Sequence, residues 1–410
     1  MSPHRSSPGV IVFALWLLVF AASSQIMIIS PILPLIGAEL DIADSVLGTL
    51  VSAYALMVGV FAIISGPISD KIGRRRILLL GTGIMSVALV MHVLVVDYYS
   101  FLAVRVFAGM AGGVLSGAAV SYVGDYFPYN RRGWATGWIM SGSAFGQIIG
   151  IPLGIVLAGG EGFRAPFVLF AVVMFMAFFL ILLKVPQPDV QRTTGRLTVS
   201  GAFADYMAML RRPEIAFAAF AFFLMFLGLS LYVVYLPTWL EREMGATPNA
   251  IATLFLIGGI ANVLTGPQAG RISDKVGRKG IILLSCSGLF VVMLLTTVLI
   301  TEFWLAYPMF FLTMVLVAMR ISPFSALLTA LVTDQRRGSL MSLTVALGQV
   351  GFAVGGAVAG PLFAGAGYRS NTILGAFSVL GMGLIVWFLL PEPTPSQGRV
   401  VRNVPSAGEA

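Results

Sequence analysis

Residues 66–75 read Gly66-Pro67-Ile68-Ser69-Asp70-Lys71-Ile72-Gly73-Arg74-Arg75, and 204 positions later the chain reads Gly270-Arg271-Ile272-Ser273-Asp274-Lys275-Val276-Gly277-Arg278-Lys279. The two stretches follow the second and the eighth of a series of long apolar runs. Shorter echoes join Arg131-Arg132-Gly133 to Arg336-Arg337-Gly338 and Gly146-Gln147 to Gly348-Gln349. An even number of apolar runs separates equivalent segments, so the halves are duplicates of parallel topology. Repeats of this kind in a membrane chain point to a transporter whose two bundles rock about a site near the bilayer midplane.

The runs themselves place the chain in a membrane. Of 410 residues 58% are hydrophobic and only 10% charged, and the mean hydropathy is +0.96. A soluble domain carries about 25% charge, so no polar shell exists to coat a soluble core. A helix crosses the hydrocarbon layer with about 20 apolar residues. The pattern predicts twelve such spans: 9–36, 45–66, 77–96, 99–123, 134–158, 165–184, 214–237, 248–269, 281–300, 303–329, 339–363 and 371–390. The first run continues to Ile36, too long for a cleaved signal segment. The expected organisation is an N-terminal six-helix bundle (1–184), a polar link (185–213), a C-terminal six-helix bundle (214–390) and a polar tail (391–410). The net charge of +8 does not indicate a nucleic-acid partner, because the basic residues sit between apolar runs and not on one solvated face. One cysteine, Cys286, excludes an intrachain disulfide and a cysteine metal cluster.

Orientation follows from the distribution of Lys and Arg. With the N-terminus inside, 20 of the 25 fall on the cytoplasmic side, three (Arg164, Arg242 and Arg369) on the other, and two (Arg105 and Arg320) within spans. The expectation is a multi-pass protein of the cell inner membrane with both termini cytoplasmic.

The repeated motif, G-x-x-[ST]-D-[RK]-x-G-R-[RK], resembles that of the major facilitator superfamily, and the resemblance covers roughly residues 9–390. Within it the chain is similar to the twelve-span drug–proton antiporter branch. Span five carries Gly142, Gly146, Gly150, Pro152 and Gly154 in the pattern of that branch's glycine–proline motif. Arg105 and Gly109 resemble its R-x-x-x-G element, and Pro31 and Pro34 its P-x-x-P element. The resemblance implies an all-α fold of two six-helix bundles related by a pseudo-two-fold repeat. It also implies gating by Asp70, Lys71, Arg74, Asp125, Asp274 and Arg278. Asp70 would lie beside the start of span eleven, where a carboxylate gains about 0.3–1 kcal/mol from the helix dipole. Arg74 would pair with Asp125, and together these contacts would latch the outward-open state. The glycines of span five recur every four residues, a smooth ridge on which a helix can approach closely; the expectation is packing that seals the bundles together, with a bend at Pro152.

The polar and aromatic residues in the spans that line the family's cavity are Gln25, Tyr54, Arg105, Gln147, Tyr232, Tyr235, Asn262, Arg320 and Gln349. An apolar wall with few polar anchors suits an amphipathic molecule. Many drug–proton antiporters carry an acid within span one, two or four; here all 17 acids fall in loops or at helix ends. The candidates for proton coupling therefore reduce to Arg105, Asp125 and His92, with Asp97 at the edge of span three.

The function expected is secondary active export of small amphipathic or drug-like molecules by alternating access with proton antiport. The alternative is an organic-anion or sugar-type exchanger that holds its substrate with Arg105, Arg320 or both, since an arginine fork suits carboxylates and phosphates. No nucleophile–base pair, metal cluster or nucleotide loop is readable, so an enzyme is not expected and no cofactor is implied. The expected partners are a small-molecule substrate, protons and the lipid bilayer, and the chain is expected to act as a monomer.

Overall fold

The computed structural model describes residues 7–188, 206–332 and 337–391, apart from the side chains of Gly66, Pro67, Asp70, Arg337 and Gly338. It contains twelve helices long and apolar enough to cross a membrane, and no strand among the described residues. Helices are the expected solution, because in lipid each backbone polar group must be satisfied within its own segment. The spans are α1 (Pro8–Met27), α2 (Asp44–Ser65), α3 (Arg74–Leu94), α4 (Tyr98–Tyr126), α5 (Tyr129–Glu161) and α6 (Ala165–Lys184) in the first half. In the second half they are α7 (Pro213–Met244), α8 (Pro248–Val276), α9 (Arg278–Leu299), α10 (Phe303–Ala330), α11 (Ser339–Ala366) and α12 (Tyr368–Leu389).

Several helices outrun the apolar stretches from which they were predicted. The largest correction concerns the repeated motif, which reads as a loop. The α2 helix continues to Ile72 and α8 runs to Val276, so the motif is helical up to one glycine in each copy. Gly73 and Gly277, at φ 102° and 98°, then turn the chain directly into α3 and α9. Side chains other than glycine seldom adopt that conformation. The first span, predicted as one run to Ile36, breaks at Ile28 and resumes as Ile29–Leu40. Pro31, which has no N–H to return to the carbonyl of Met27, accounts for the break. Comparable breaks occur in α4 at Ser116–Gly117 and in α7 at Val234–Tyr235.

Two six-helix bundles result. In the first, α1 packs on α5 and α6, α2 on α4, and α3 on α4 and α6; in the second, α7 packs on α11 and α12, α8 on α10, and α9 on α10 and α12. Aromatic side chains such as Phe101, Phe167 and Phe170 fill the first core, and Tyr232 and Tyr368 the second. The bundles meet along α2–α11 and along α5–α8. These seams are equivalent under the repeat, which exchanges α2 with α8 and α5 with α11.

The ridge of span five is a second correction. Gly142, Gly146 and Gly150 face Trp16, Phe20 and Ser24 of α1, and Gly154 faces Ile28, all in the same bundle. A helix ridge of small residues fits any close neighbour, and here that neighbour is α1. Gly348, Gly351 and Gly355 of α11 pack equivalently on α7, through Phe222, Phe223 and Ser230. The bend near Pro152 takes the form of a π-helical turn, Gly146–Gly150. Such turns are a recognised source of helix kinks.

Candidate substrate cavity

Between the bundles lies a cavity of about 370 Å³. Six of the nine predicted residues line it: Tyr54 (α2), Arg105 (α4), Gln147 (α5), Asn262 (α8), Arg320 (α10) and Gln349 (α11). The remaining wall is apolar, with Met225, Phe226, Phe255, Phe310, Met314 and Phe352 prominent. Sequence reasoning missed these aromatics, because a phenylalanine facing the cavity and one facing lipid look alike in an apolar run. No aspartate or glutamate lines the cavity among the described residues.

Three predicted residues lie elsewhere. Gln25 stands behind the cavity and donates from Nε2 to the Tyr54 hydroxyl at 2.9 Å. Tyr232 is buried inside the second bundle, its hydroxyl beside Thr296 and Thr313 at 3.3 and 3.4 Å and its carbonyl accepting from Tyr368. Tyr235 sits on the seam, where its hydroxyl accepts from the Gly48 N–H at 2.8 Å and donates to the Asp44 carbonyl. A polar group inside a span needs a partner, and for Gln25 Nε2 and the two tyrosine hydroxyls the partner is protein.

The two arginines differ in their surroundings. Arg105 donates from Nε to the Leu50 carbonyl at 3.2 Å and lies over the Tyr54 ring, 4.3 Å from its centroid. With Gln25 this ties α4, α2 and α1 together. Arg320 is fully buried, and none of its three guanidinium nitrogens has a hydrogen-bond acceptor among the described residues. The polar group beside it is the Cys286 thiol.

One face of the cavity is closed. It is the face opposite the chain termini, reached by the first residues of α2 and the last of α11. Gly48 abuts the Gly356 carbonyl, Gly360 abuts Ser45, and Ser52 Oγ donates to the Ala353 carbonyl at 2.6 Å. Across the second seam Gly159 packs on Pro248 and Gly259 on Gln147, whose Oε1 accepts from Asn262 Nδ2 at 3.2 Å. Arg242 at the end of α7 grips both oxygens of Asp44, one of them at 2.6 Å. This pair joins residues 198 apart in different halves, and nothing in the local sequence announces it. Towards the termini the second seam loosens: the π turn and the following residues of α5 pack on α8, whereas residues 129–145 make no comparable contact with it.

The gating candidates lie on the termini face. Arg74 Nε donates to Asp125 Oδ2 at 2.6 Å, and its Nη1 to Ser69 at 2.9 Å. In the second copy Arg278 reaches Asp274 at 3.5 Å and the Ala326 carbonyl at 3.2 Å. Lys71 is exposed, and the side chain of Asp70 lies outside the described residues. Of the coupling candidates, His92 does not line the cavity: it stacks on Phe167 with ring centroids 3.9 Å apart and its Nδ1 meets the Ala88 carbonyl at 2.8 Å. Asp97 caps α4 in a reciprocal capping box with Ser100. The Ser100 hydroxyl and N–H hold its carboxyl below the usual range.

The Major Facilitator Superfamily model matches residues 15–295 and 218–406. Among curated proteins the chain is 27% identical to the uncharacterized MFS-type transporter YwfA of Bacillus subtilis (strain 168), over 93% of this chain and 92% of that one. It is 25% identical to the multidrug resistance protein MdtG of Yersinia enterocolitica, over 95% of this chain and 96% of that one. Solved structures with the same fold include a D-xylose-proton symporter (TM-score 0.79, 17% identity, covering 94% of this chain and 98% of that one). The human organic anion transporter MFSD10 is another (TM-score 0.71, 16% identity, covering 94% and 100%). With a repeated twelve-helix fold, a cavity lined from both halves and a family match over most of its length, the chain belongs to the Major Facilitator Superfamily of transporters.

Proposed function

We propose that the protein exports small amphipathic, drug-like molecules in exchange for protons, by alternating access between two bundles (1–184 and 214–390) joined by the 185–213 link. The observation that carries this reading is the cavity: apolar, provided with a few polar anchors, and closed to one face by two equivalent seams. Sites of that composition suit amphipathic ligands. The multidrug resistance proteins among its relatives agree with it. By the distribution of Lys and Arg the termini face the cytoplasm across the inner membrane, so the conformation described is inward-facing. The Arg74–Asp125 pair is formed in this conformation and within one bundle, so a latch on the opposite state would rest on Asp70 against α11, while Arg242–Asp44, which crosses the bundles, would favour this one. Each bundle finds its partner within the chain, which suits a monomer. Proton exchange would act through Asp125 and Arg105, since His92 is enclosed by Phe101 and Phe167.

The test is transport by purified protein in liposomes, followed with dansyl-labelled amphiphiles against protein-free controls. With the lumen acidic, outward proton flow should drive the probe inward, and a protonophore should abolish the protein-dependent part. If none of the probes accumulates, the export reading fails; accumulation indifferent to the pH gradient contradicts proton antiport alone.

A further inference from the structure

The cavity's charges all have one sign. Among the described residues its two ionised groups are Arg105 and Arg320, its other polar lining is neutral, and no carboxylate lines it. An arginine stays protonated at any working pH, and a cation at a helix centre costs about 2.5–3.5 kcal/mol unless something neutralises it. Arg105 is partly accounted for, by the Leu50 carbonyl on its Nε and by the Tyr54 ring, with its buried Nη1 left without an acceptor among the described residues. Arg320 is not: fully buried, on the cavity wall, with no oxygen or nitrogen acceptor on any of its nitrogens among the described residues and only the Cys286 thiol, a weak acceptor, beside it. We propose that the amphiphile this cavity takes is an organic anion, and that Arg320 is the residue that binds its oxyanion head. This deepens the export reading and rests on it.

Position along the helices supports the assignment. Arg320 lies ten residues before the end of α10 on the termini face, about 15 Å of helix. Arg105 lies seven residues from the start of α4 on the closed face, about 10 Å in. The two cations therefore sit at different depths, and a single head group entering from the termini face meets Arg320 first. The apolar body then has Phe226, Phe255, Phe310 and Phe352 to pack against. A planar guanidinium offers two parallel donors to a carboxylate, which also gives the head a fixed orientation.

Binding of three probes that share one fluorescent body tests this in nanodiscs of zwitterionic lipid, with empty discs subtracted. The probes are dansylglycine (a carboxylate), its primary amide, and the dansyl derivative of ethylenediamine (an ammonium). The carboxylate should bind at least tenfold more tightly than the amide, and the ammonium most weakly; a charge-assisted hydrogen bond corresponds to roughly 10- to 150-fold. In Arg320→Gln the carboxylate's advantage should vanish while the amide still binds, which shows that the protein is folded. If that variant binds nothing, Arg320→Lys decides: a reduced or lost preference for the carboxylate with the amide still bound supports the proposal, and an undiminished one overturns it. A wild-type protein that binds amide or ammonium as well as carboxylate, or a preference that survives in Arg320→Gln, also overturns it while the amphiphile reading stands. Binding of none of the three overturns that reading and this inference with it.

Discussion

Gly48→Val should lower transport by roughly 5- to 150-fold while substrate binding remains measurable. A side chain at Gly48 is directed at the backbone carbonyl of Gly356 on the other bundle, so neither partner can rotate away. Overpacking a tight contact costs about 1–3 kcal/mol. Here it would fall on only one of two states, which corresponds to roughly a 5- to 150-fold loss of the closed population. Initial transport rates and equilibrium binding, measured on the same preparation, separate a blocked cycle from a lost site. Gly160→Ala, on the same side of the molecule with open space around its Cβ, should transport normally. Normal transport by Gly48→Val would mean that the α2–α11 seam need not close.

Arg105→Ala should lower transport by roughly 10- to 150-fold, the range for losing a charge-assisted hydrogen bond. The residue joins three helices, through the Leu50 carbonyl, the Tyr54 ring and, behind that ring, Gln25. Arg105→Lys keeps the charge. An ammonium cannot lie flat on the ring and also donate from the Nε position, so this variant should fall nearer to Ala than to wild type. Tyr54→Phe, which loses only the bond from Gln25, should be milder. Initial rates for the four proteins, with folding checked by elution volume, make the comparison; full activity in Arg105→Ala would leave the cluster without a role in transport.

The spans were legible because a membrane demands length and hydrophobicity together, and few local choices can disguise either. Their ends were less so. The motif at 66–75 is polar enough to read as a loop, yet α2 stays helical until Gly73 supplies a conformation that only glycine adopts readily. The cavity was partly legible for a related reason: a polar side chain inside a span faces either the cavity or a protein partner. That alternative is what separated Arg105, Gln147 and Asn262, on the wall, from Tyr232 and Tyr235, whose partners are Thr296, Thr313, Gly48 and Asp44. Composition cannot choose between the two outcomes. The glycines at 142, 146, 150 and 154 announced a close helix contact but not its partner, because a bare ridge carries no address. The Asp44–Arg242 pair, formed across the halves, had no local pattern at all.

The proposed transport cycle requires two bundles that close one face as they open the other. Electron–electron distances across both faces test it most directly, in a Cys286→Ala background that removes the buried native thiol. One spin-label pair at Asp41 and Thr247 spans the closed face, and a second at Gly133 and Lys275 spans the termini face; all four positions are exposed. On addition of substrate or a change of pH, the Asp41–Thr247 distribution should gain a longer component as the Gly133–Lys275 distribution gains a shorter one. Arg242→Ala, which removes the grip on Asp44, should push both pairs the same way without ligand. Distances that stay fixed on both faces, or that lengthen together, would contradict the rocking of one bundle against the other.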